Sequence, residues 1–470
     1  MRAEPALSDG MRLTDAWPRT RRPLPWLIAG FLAMIFLVPF EAIHLKVKLP
    51  VSSDLDRFFI VLIVATWAVV SLIGKDDGIR RLRPRGWAAG MIAFAFVGVA
   101  SVAVNVDRIT NLGEWDVAQK KLAVLLGLVA IFAFVALTMR VAELRPFAVL
   151  IVVLATLTAV GTIYEQKAGY NVFYETASAV FSPIATVDPA PTDIGHNPRE
   201  PGRPMIAGPT RHPLSVASLL GMALPFAVVL AAVAPTLRRR LLWGAAACLI
   251  IAGALVTQRK SGVVVPAFAL LTLFVLRPRQ FLHLAPFGIV AIVFGLALSG
   301  GSFSSVSALG GAKETDSTLG RTWDYPAVVP DLLSNPLLGR GYGTHDSIRA
   351  DTYRIFDNEY LGQVYQGGAL GLIAFLALIL SPLLLVRTVL RSDNPLRGPP
   401  ALAAGAGCLA FGVAAALYDI FSFAQAPYFF LILSAMCTCA ASIEVPVRAK
   451  ARAPQRVRPG PAPAVLPVDA

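Results

Sequence analysis

The chain has 470 residues, of which 56% are hydrophobic and 15% are charged, and its mean hydropathy is +0.64. A soluble globular protein of this length would need far more polar surface, so the composition excludes that class. The net charge of +13 would suit a nucleic-acid partner only if the basic residues were gathered on one face.

Long apolar runs recur along the chain, and roughly 20 helical residues cross a bilayer core about 30 Å thick. The sequence therefore predicts an all-α, polytopic integral membrane protein of about 12 transmembrane helices, with a long extracytoplasmic loop between spans 9 and 10. The first run follows three arginines without a cleavage site, which predicts a retained anchor. The predicted spans are 26–40, 58–74, 87–104, 122–138, 146–163, 214–235, 241–257, 262–276, 284–300, 365–386, 401–417 and 422–442.

These spans form one predicted transmembrane domain, 26–442, between ends rich in Pro, Arg and Ala. The ends, 1–25 and 443–470, are predicted to be disordered and cytoplasmic. Two long outer loops, 164–213 and 301–364, follow from this topology. The shorter cytoplasmic segments then hold 25 of the 42 lysines and arginines, as the positive-inside rule requires. The basic surplus is therefore a topology signal, and no nucleic-acid partner is predicted.

Ionisable groups are nearly absent from the predicted spans and are concentrated on the predicted outer face. A transporter usually places such groups near the bilayer midplane. We therefore expect the function to reside at the extracytoplasmic boundary of the cell membrane. The four cysteines fall within spans, at spacings typical of neither a zinc site nor a disulfide framework, and no cofactor or metal is predicted.

Two short segments bring positive charge to the predicted outer surface. GRPMIAGPTRHP, 202–213, precedes span six, and TQRKSG, 257–262, links spans seven and eight. Guanidinium groups suit phosphate oxygens. Contact with lipid headgroups is the simpler interpretation for the first segment, whereas two adjacent cations without an acidic neighbour favour an anionic ligand for the second. The cations are Arg203, Arg211, Arg259 and Lys260.

The second outer loop contains TLGRTWDYPAVVPDLLSNPLLGRGYGTH, 318–345. Its aromatic and aliphatic side chains are typical of a segment that lies on the membrane surface without chemistry. Arg321 and Arg340 flank the region and are further candidates for substrate binding. Three glycines allow a close backbone approach or a lid movement, namely Gly339, Gly341 and Gly343.

A polar stretch, DNEYLGQVYQGGALG, 357–371, opens the tenth predicted span. Asp357 is either a helix N-cap, which would lower its pKa, or the group that takes a proton from an attacking hydroxyl. The planar and aromatic side chains beside it suit sugar hydroxyls. These candidates are Asn358, Glu359, Tyr360 and Gln366.

Taken in order, four stretches resemble the O-antigen ligase and O-antigen polymerase superfamily of membrane glycosyltransferases. They are RPMIAGPTRHPLSVASLLGMALP, TQRKSG, GRTWDYPAVVPDLLSNPLLGRGYG and DNEYLGQVYQGGALGLIAF, which together span about residues 200–375. The resemblance implies a multi-pass protein of the inner membrane that joins glycans in cell-envelope polysaccharide biosynthesis. It also implies an undecaprenyl-pyrophosphate-linked glycan as donor and a glycan or glycolipid as acceptor.

The resemblance further implies that Arg211 or Arg203, with Arg259 or Lys260, binds the donor diphosphate. The family commonly reads His-Asn-x-Tyr-Leu where this chain reads Asp-Asn-Glu-Tyr-Leu, and Ser-Arg where it reads Gln-Arg-Lys. Asp357 thus stands where the family has the histidine assigned to activating the acceptor. An aspartate titrates near pH 4 unless its surroundings raise its pKa. His345 is the less favoured substitute base.

We therefore expect a metal-independent glycosyltransferase, ligase-like or polymerase-like, with Asp357 as base. Arg211 and Arg259 would neutralise charge on the leaving diphosphate. A single direct displacement would invert the anomeric carbon. The alternatives are a polysaccharide or lipid transporter and a non-catalytic polysaccharide-assembly protein; the aspartate in place of histidine keeps the latter open.

Overall fold

The computed structural model of the protein describes residues 16–46, 54–73, 89–192, 205–281, 329–330, 332–344, 356, 358–392 and 394–442. This part of the chain is predominantly helical. The helices are α1 (Pro23–Leu37), α2 (Leu55–Ile73), α3 (Ala89–Val104), α4 (Val106–Asn111), α5 (Trp115–Thr138), α6 (Leu144–Ala168), α7 (Val172–Phe181), α8 (Pro213–Ala232), α9 (Leu237–Leu255), α10 (Ser261–Leu276), α11 (Pro278–Phe281), α12 (Glu359–Leu390), α13 (Gly398–Ala415) and α14 (Gln425–Ala441). An antiparallel pair of short strands, β1 (Ile43–Leu45) and β2 (Ala185–Val187), places His44 opposite Thr186.

Several helices are suited to a membrane. Six are long and apolar enough to cross one, and four more are apolar but shorter. The six are α2, α5, α6 with the turn before it, α8, α12 and α13; the shorter four are α1, α3, α10 and α14. The predicted class of helical membrane protein is confirmed at this level, while the full set of twelve spans stays a prediction. Predicted span 284–300, most of the outer loop 301–364 and the C-terminal end 443–470 lie outside the described residues.

Several helices begin earlier than hydrophobicity predicts, and the difference is largest for α12 and α5. α12 starts at Glu359 rather than at 365, and α5 starts at Trp115 rather than at 122. In both cases the first turns are polar, because they extend beyond the apolar stretch on which the prediction rests. Residues 359–364, assigned from the sequence to the outer loop, therefore belong to a helix.

α8 is the central helix of the bundle. In its most apolar stretch of 18 residues, 89% of the residues are buried, against 17% in the corresponding stretch of α2. α8 packs against α6, α9, α10 and α13. Small residues permit this packing, since a Cβ on Gly221 would lie 2.8 Å from Val265 Cγ1. Likewise, a Cβ on Gly407 would lie 2.7 Å from the Met222 carbonyl oxygen. Such close approaches are how helices pack in lipid, where van der Waals contact replaces the hydrophobic effect.

Polar contacts join distant parts of the chain at both ends of the bundle. At one end, which we call the loop end, side chains bond across connections that are far apart in the chain: Glu41 accepts from the Ala424 amide at 2.6 Å and Gln425 donates to the Pro209 carbonyl at 3.2 Å. α2, α8, α10, α12 and α14 all begin there. The loop end comprises segments 38–46, 105–114, 169–192, 205–212, 256–260, 335–344 and 416–424.

Candidate functional site

The most unusual backbone feature at the loop end is an interruption of α12. Gly368 has a φ of 63° and a ψ of −156°, which is outside the helical region and essentially restricted to glycine. A break of this kind removes helical hydrogen bonds on both sides, and the freed backbone groups need other partners inside a membrane protein.

Residues 335–344, which we call the glycine segment, supply those partners. Two of its amides donate to carbonyls before the break, and two of its carbonyls accept from amides after it. The bonds are Arg340 N to Tyr365 O (2.9 Å), Gly341 N to Gln366 O (3.0 Å), Ala369 N to Pro336 O (2.9 Å) and Leu370 N to Leu337 O (3.1 Å). The glycine segment therefore takes the place of the missing helical turn.

The glycines make this contact possible. Gly339 and Gly368 lie against each other, because a Cβ on Gly339 would come within 2.5 Å of the Gly368 amide nitrogen. Gly339, Gly341 and Gly343 all have positive φ. Of the close backbone approach or lid movement predicted for these glycines, the close approach is observed at Gly339, whereas a Cβ on Gly341 or Gly343 would first meet the side chain of Ile109 or Lys121. α3 adds two side chains: the Ser101 hydroxyl, with one proton to donate, lies 2.7 Å from both the Leu338 and the Gln366 carbonyl oxygens, and Asn105 donates to the Gly339 carbonyl (3.1 Å).

The predicted sugar-binding side chains at the start of α12 make intramolecular bonds. Asn358 is the N-cap and accepts from the Tyr360 amide at 3.0 Å, so the cap is Asn358 rather than Asp357. Glu359 is buried and accepts from Gln363 at 2.7 Å and from the Phe421 amide at 3.3 Å. The remaining two bonds are Tyr360 OH to the Gly412 carbonyl (2.8 Å) and the Gly343 amide to Gln366 Oε1 (2.7 Å).

Arg340 is similarly held within the protein. Its guanidinium forms an ion pair with buried Glu114 and donates to the Tyr365 hydroxyl at 2.6 Å. The guanidinium carbon also lies 5.6 Å from the centre of the Tyr365 ring. Arg340 therefore joins the start of α5 to α12, and the structure gives it the role of a cross-link at the site.

The segment before α8 is fixed by one buried carboxylate. Glu165, in the last turn of α6, accepts from the Gly208 amide at 2.7 Å and from the Asn171 side chain at 2.9 Å. His212 caps α8 through its ring nitrogen, which accepts from the Leu214 amide at 3.2 Å. Turns at 208–212 lead directly into α8, and they hold Arg211 at a defined point of the loop end.

Three predicted cations lie in or beside this segment. Arg211 is 58% exposed, with one guanidinium nitrogen 3.5 Å from Asp188 Oδ2. Arg259 is buried, and its guanidinium lies 3.8 Å from the Met205 sulfur, so the α9–α10 link contacts the same segment. Lys260 is exposed at the start of α10. α8 and α10 run parallel and pack together, and their positive N-terminal ends add to these charges.

The connection 416–424 joins the two sides of the loop end. Its Phe421 amide bonds to Glu359 at the start of α12, and its Phe423 ring lies 5.3 Å from the His212 ring at the start of α8. Two residues span at most about 7 Å of chain, so the starts of α8 and α12 lie in one neighbourhood. This arrangement allows a single ligand to contact both sides.

Glu41 carries a further carboxyl group at the loop end, which is not among the residues predicted from the sequence. Its second oxygen, Oε2, is buried and has no hydrogen-bond partner within the described part of the chain. Burial raises the pKa of Glu41 to about 8, although the Ala424 amide and Arg211 act to lower it. The signal in the sequence is a carboxylate directly after an apolar run, a position that Glu165 shares at the end of α6.

The other predicted residues lie outside the described part of the chain. These are Asp357, Arg203, Arg321 and the alternative base His345. Among the residues that the structure describes, no group of three or more His, Cys, Asp or Glu side chains is arranged to hold a metal ion. The chain matches no protein-family model, and a search of the curated proteins finds no match.

Proposed function

We propose that the protein transfers a glycan from a polyprenyl diphosphate to a hydroxyl of an acceptor sugar at the outer face of the cell membrane. The observation that carries this proposal is the gathering of Arg211, Arg259 and Lys260 at one end of the bundle, close to the start of α12. A diphosphate at the membrane surface is the simplest ligand for fixed cations beside two helix N-termini.

In this reaction the acceptor oxygen forms a bond to the anomeric carbon while the bond from that carbon to the diphosphate oxygen breaks. Asp357 takes the hydroxyl proton, and the leaving diphosphate keeps the bonding electron pair. Arg211 and Arg259 stabilise the charge that develops on the leaving group, which is the type of electrostatic contribution that is often largest in enzymes. The donor is thus bound through its diphosphate on the α8 and α10 side.

The contacts of α12 restrict the role of the remaining candidates. Glu359, Tyr360 and Gln366 each bond to another part of the fold. We therefore propose that they shape the acceptor side by fixing the helix start rather than by holding sugar hydroxyls. Arg340 does the same for the glycine segment.

A transporter is the second candidate, and the break in α12 favours it, because interrupted helices often bind substrate in transporters. However, the freed backbone groups of this break are bonded by the glycine segment. The charged side chains described above are gathered at helix ends rather than along the middle of the helices.

The test is glycan transfer by the full-length protein in liposomes that contain a polyprenyl-diphosphate-linked glycan and a sugar acceptor. Asp357→Ala, Arg211→Ala and Arg259→Ala are each expected to lower the rate of transfer at least tenfold. Arg238→Ala is the matched control, since this exposed arginine starts α9 at the opposite end of the bundle. Full activity in both Arg259→Ala and Asp357→Ala would eliminate the mechanism, and movement of the intact donor across the bilayer without transfer would favour the transporter.

A further inference from the structure

Four charged or titratable side chains form a chain of contacts that ends on Arg211. His44 Nδ1 lies 2.8 Å from Asp54 Oδ1, and His44 Nε2 lies 3.2 Å from Asp188 Oδ2. The same Oδ2 atom of Asp188 lies 3.5 Å from the Arg211 guanidinium. One carboxylate oxygen is thus shared between an imidazole and the guanidinium that we assign to the donor diphosphate.

Secondary structure holds this chain of contacts in place. His44 lies in β1, opposite Thr186 of β2, and Asp188 follows β2 directly. The Asp188 amide donates to the Ala42 carbonyl at 2.8 Å, which fixes the carboxylate beside the imidazole. These contacts lie at the loop end, outside the apolar helices.

The other charges near His44 come from the elements packed around it. Arg57, in the first turn of α2, is 3.7 Å from Asp54. Lys46, which directly follows β1, donates to the Ser182 carbonyl at 2.8 Å. The groups that face the imidazole itself are therefore two carboxylates, and no cation touches it among the described residues.

Two carboxylates favour the protonated imidazole. Partial burial lowers the pKa of His44, but the hydrogen bonds and charges of Asp188 and Asp54 outweigh burial and raise the pKa above its ordinary value of about 6.5. A protonated His44 donates one N–H to each carboxylate. A neutral His44 has a single N–H and can satisfy only one of them.

We propose that His44 and Asp188 are positioning residues for Arg211, and that the protonation state of His44 decides whether Asp188 holds Arg211 or releases it to the diphosphate. With protonated His44, Asp188 is already neutralised and competes weakly for the guanidinium. When His44 is neutral and its Nδ1–H donates to Asp54, the unprotonated Nε2 cannot donate to Asp188. Arg211 is then the remaining donor to the Asp188 carboxylate. The inference rests on the proposed role of Arg211 in binding the donor.

The direction of the pH effect follows from the raised pKa. The state that releases Arg211 is the one with protonated His44. It is fully populated well below the pKa of His44 and is lost as the pH rises through that pKa. Diphosphate binding is therefore stronger on the acidic side of neutrality than on the basic side. The side chains of Arg211 and Asp188 are 58% and 39% exposed, so the effect is that of a partly solvated ion pair, about three- to tenfold in affinity.

The experiment measures binding of radiolabelled inorganic diphosphate to the full-length protein in nanodiscs at pH 6 and pH 9. Asp116→Asn is the matched control, because Asp116 is exposed in the first turn of α5 and forms no hydrogen bond or ion pair with the four side chains of this cluster. Each affinity is divided by that of the control at the same pH, which removes the ionisation of the ligand itself. Wild type is expected to match the control at both pH values, so the pH effect is measured by the variants that change His44 or Asp188.

Two variants identify the groups responsible. Asp188→Asn is expected to bind better than the control at pH 9 and about equally at pH 6, because the competing carboxylate is gone. His44→Gln is expected to bind three- to tenfold more weakly than the control at pH 6, since the amide cannot supply the imidazolium charge. Size-exclusion chromatography of each variant verifies that it is folded.

Arg211→Ala separates the two ways of failing. If it binds diphosphate as well as wild type, the proposed function of Arg211 fails, and the inference fails with it. The inference alone is overturned if Arg211→Ala loses binding while Asp188→Asn and His44→Gln both bind diphosphate with the same affinity as the control at pH 6 and at pH 9.

Discussion

Replacing Gly368 by alanine tests whether the glycine segment and α12 depend on each other. The residue sits at a φ of 63°, and a Cβ there would lie 2.5 Å from the Leu337 carbonyl carbon and 2.7 Å from the Gly339 amide nitrogen. These are backbone atoms, so neither can rotate away as a flexible side chain would. The glycine segment must shift if α12 is to keep its path.

The expected cost has two parts. A non-glycine residue in this backbone region costs about 1–3 kcal/mol. Four backbone hydrogen bonds join the glycine segment to α12, and each contributes about 1 kcal/mol net. If the shift breaks half of them, Gly368→Ala lowers the free energy of unfolding by about 3–5 kcal/mol.

Gly367→Ala is the matched control, because it changes the neighbouring residue in the same way. A Cβ on Gly367 meets only Val97 Cγ1, at 3.9 Å, which is ordinary van der Waals contact. We expect it to change the free energy of unfolding by less than about 1 kcal/mol.

Thermal unfolding in detergent measures stability, and hydrogen exchange measures protection of the amides of 335–344. Gly368→Ala is expected to lower the unfolding midpoint and to speed exchange in the glycine segment, while Gly367→Ala leaves both near wild type. Equal unfolding and equal exchange in the two variants would refute the reasoning, because the glycine segment would then not depend on the backbone conformation at Gly368.

Three further predictions concern buried charged groups. Glu165→Ala is expected to lower the free energy of unfolding by about 2–4 kcal/mol, because three buried N–H donors lose their acceptor, and Glu165→Gln should recover part of the loss in the same thermal assay. Arg340→Lys and Glu114→Gln are each expected to destabilise by about 1–3 kcal/mol, and their double variant should fall short of the sum, since both remove one ion pair. Folding raises the pKa of Glu41 from about 4.5 to about 8, so its stabilising contribution is complete below pH 4.5 and is lost as the pH rises through 8. Unfolding measured from pH 5 to pH 9 should therefore show wild type losing a few kcal/mol relative to Glu41→Gln, and parallel pH curves would contradict this.

The fold was predictable to the extent that it depends on hydrophobicity. Apolar runs predicted helices that the structure contains. The predicted boundaries are wrong where a helix begins with a polar turn, as α5 does at Trp115 and α12 at Glu359. Turn chemistry was also readable, because Gly208 and Pro213 have local conformational preferences that need no distant partner. The positive φ angles of Gly339, Gly341 and Gly343 follow from the same kind of local preference, because glycine adopts them without strain.

The site was less predictable, because its polar side chains are defined by partners far away in the chain. Arg340 pairs with Glu114 across 226 residues, and Ser101 bonds to the Gln366 carbonyl across 265. Residue type alone does not distinguish a side chain that binds a ligand from one that binds the fold. The sequence therefore suggested sugar contacts for Glu359 and Gln366, which the structure uses to fix a helix start.

This difference explains why a membrane helix begins with so many hydrogen-bonding groups. A helix interrupted at Gly368 near its start must be supported by outside partners, and Gln366 provides one to the Gly343 amide while Glu359 accepts from Phe421. The backbone groups that the break leaves without helical partners are therefore hydrogen-bonded within the protein. A ligand that arrives at the loop end would first meet the exposed cations among the described candidates, which are Lys260 and largely exposed Arg211, and then the buried Arg259. Substitution at these cations should therefore affect binding before stability, whereas substitution at Glu359 or Gln366 should affect stability first.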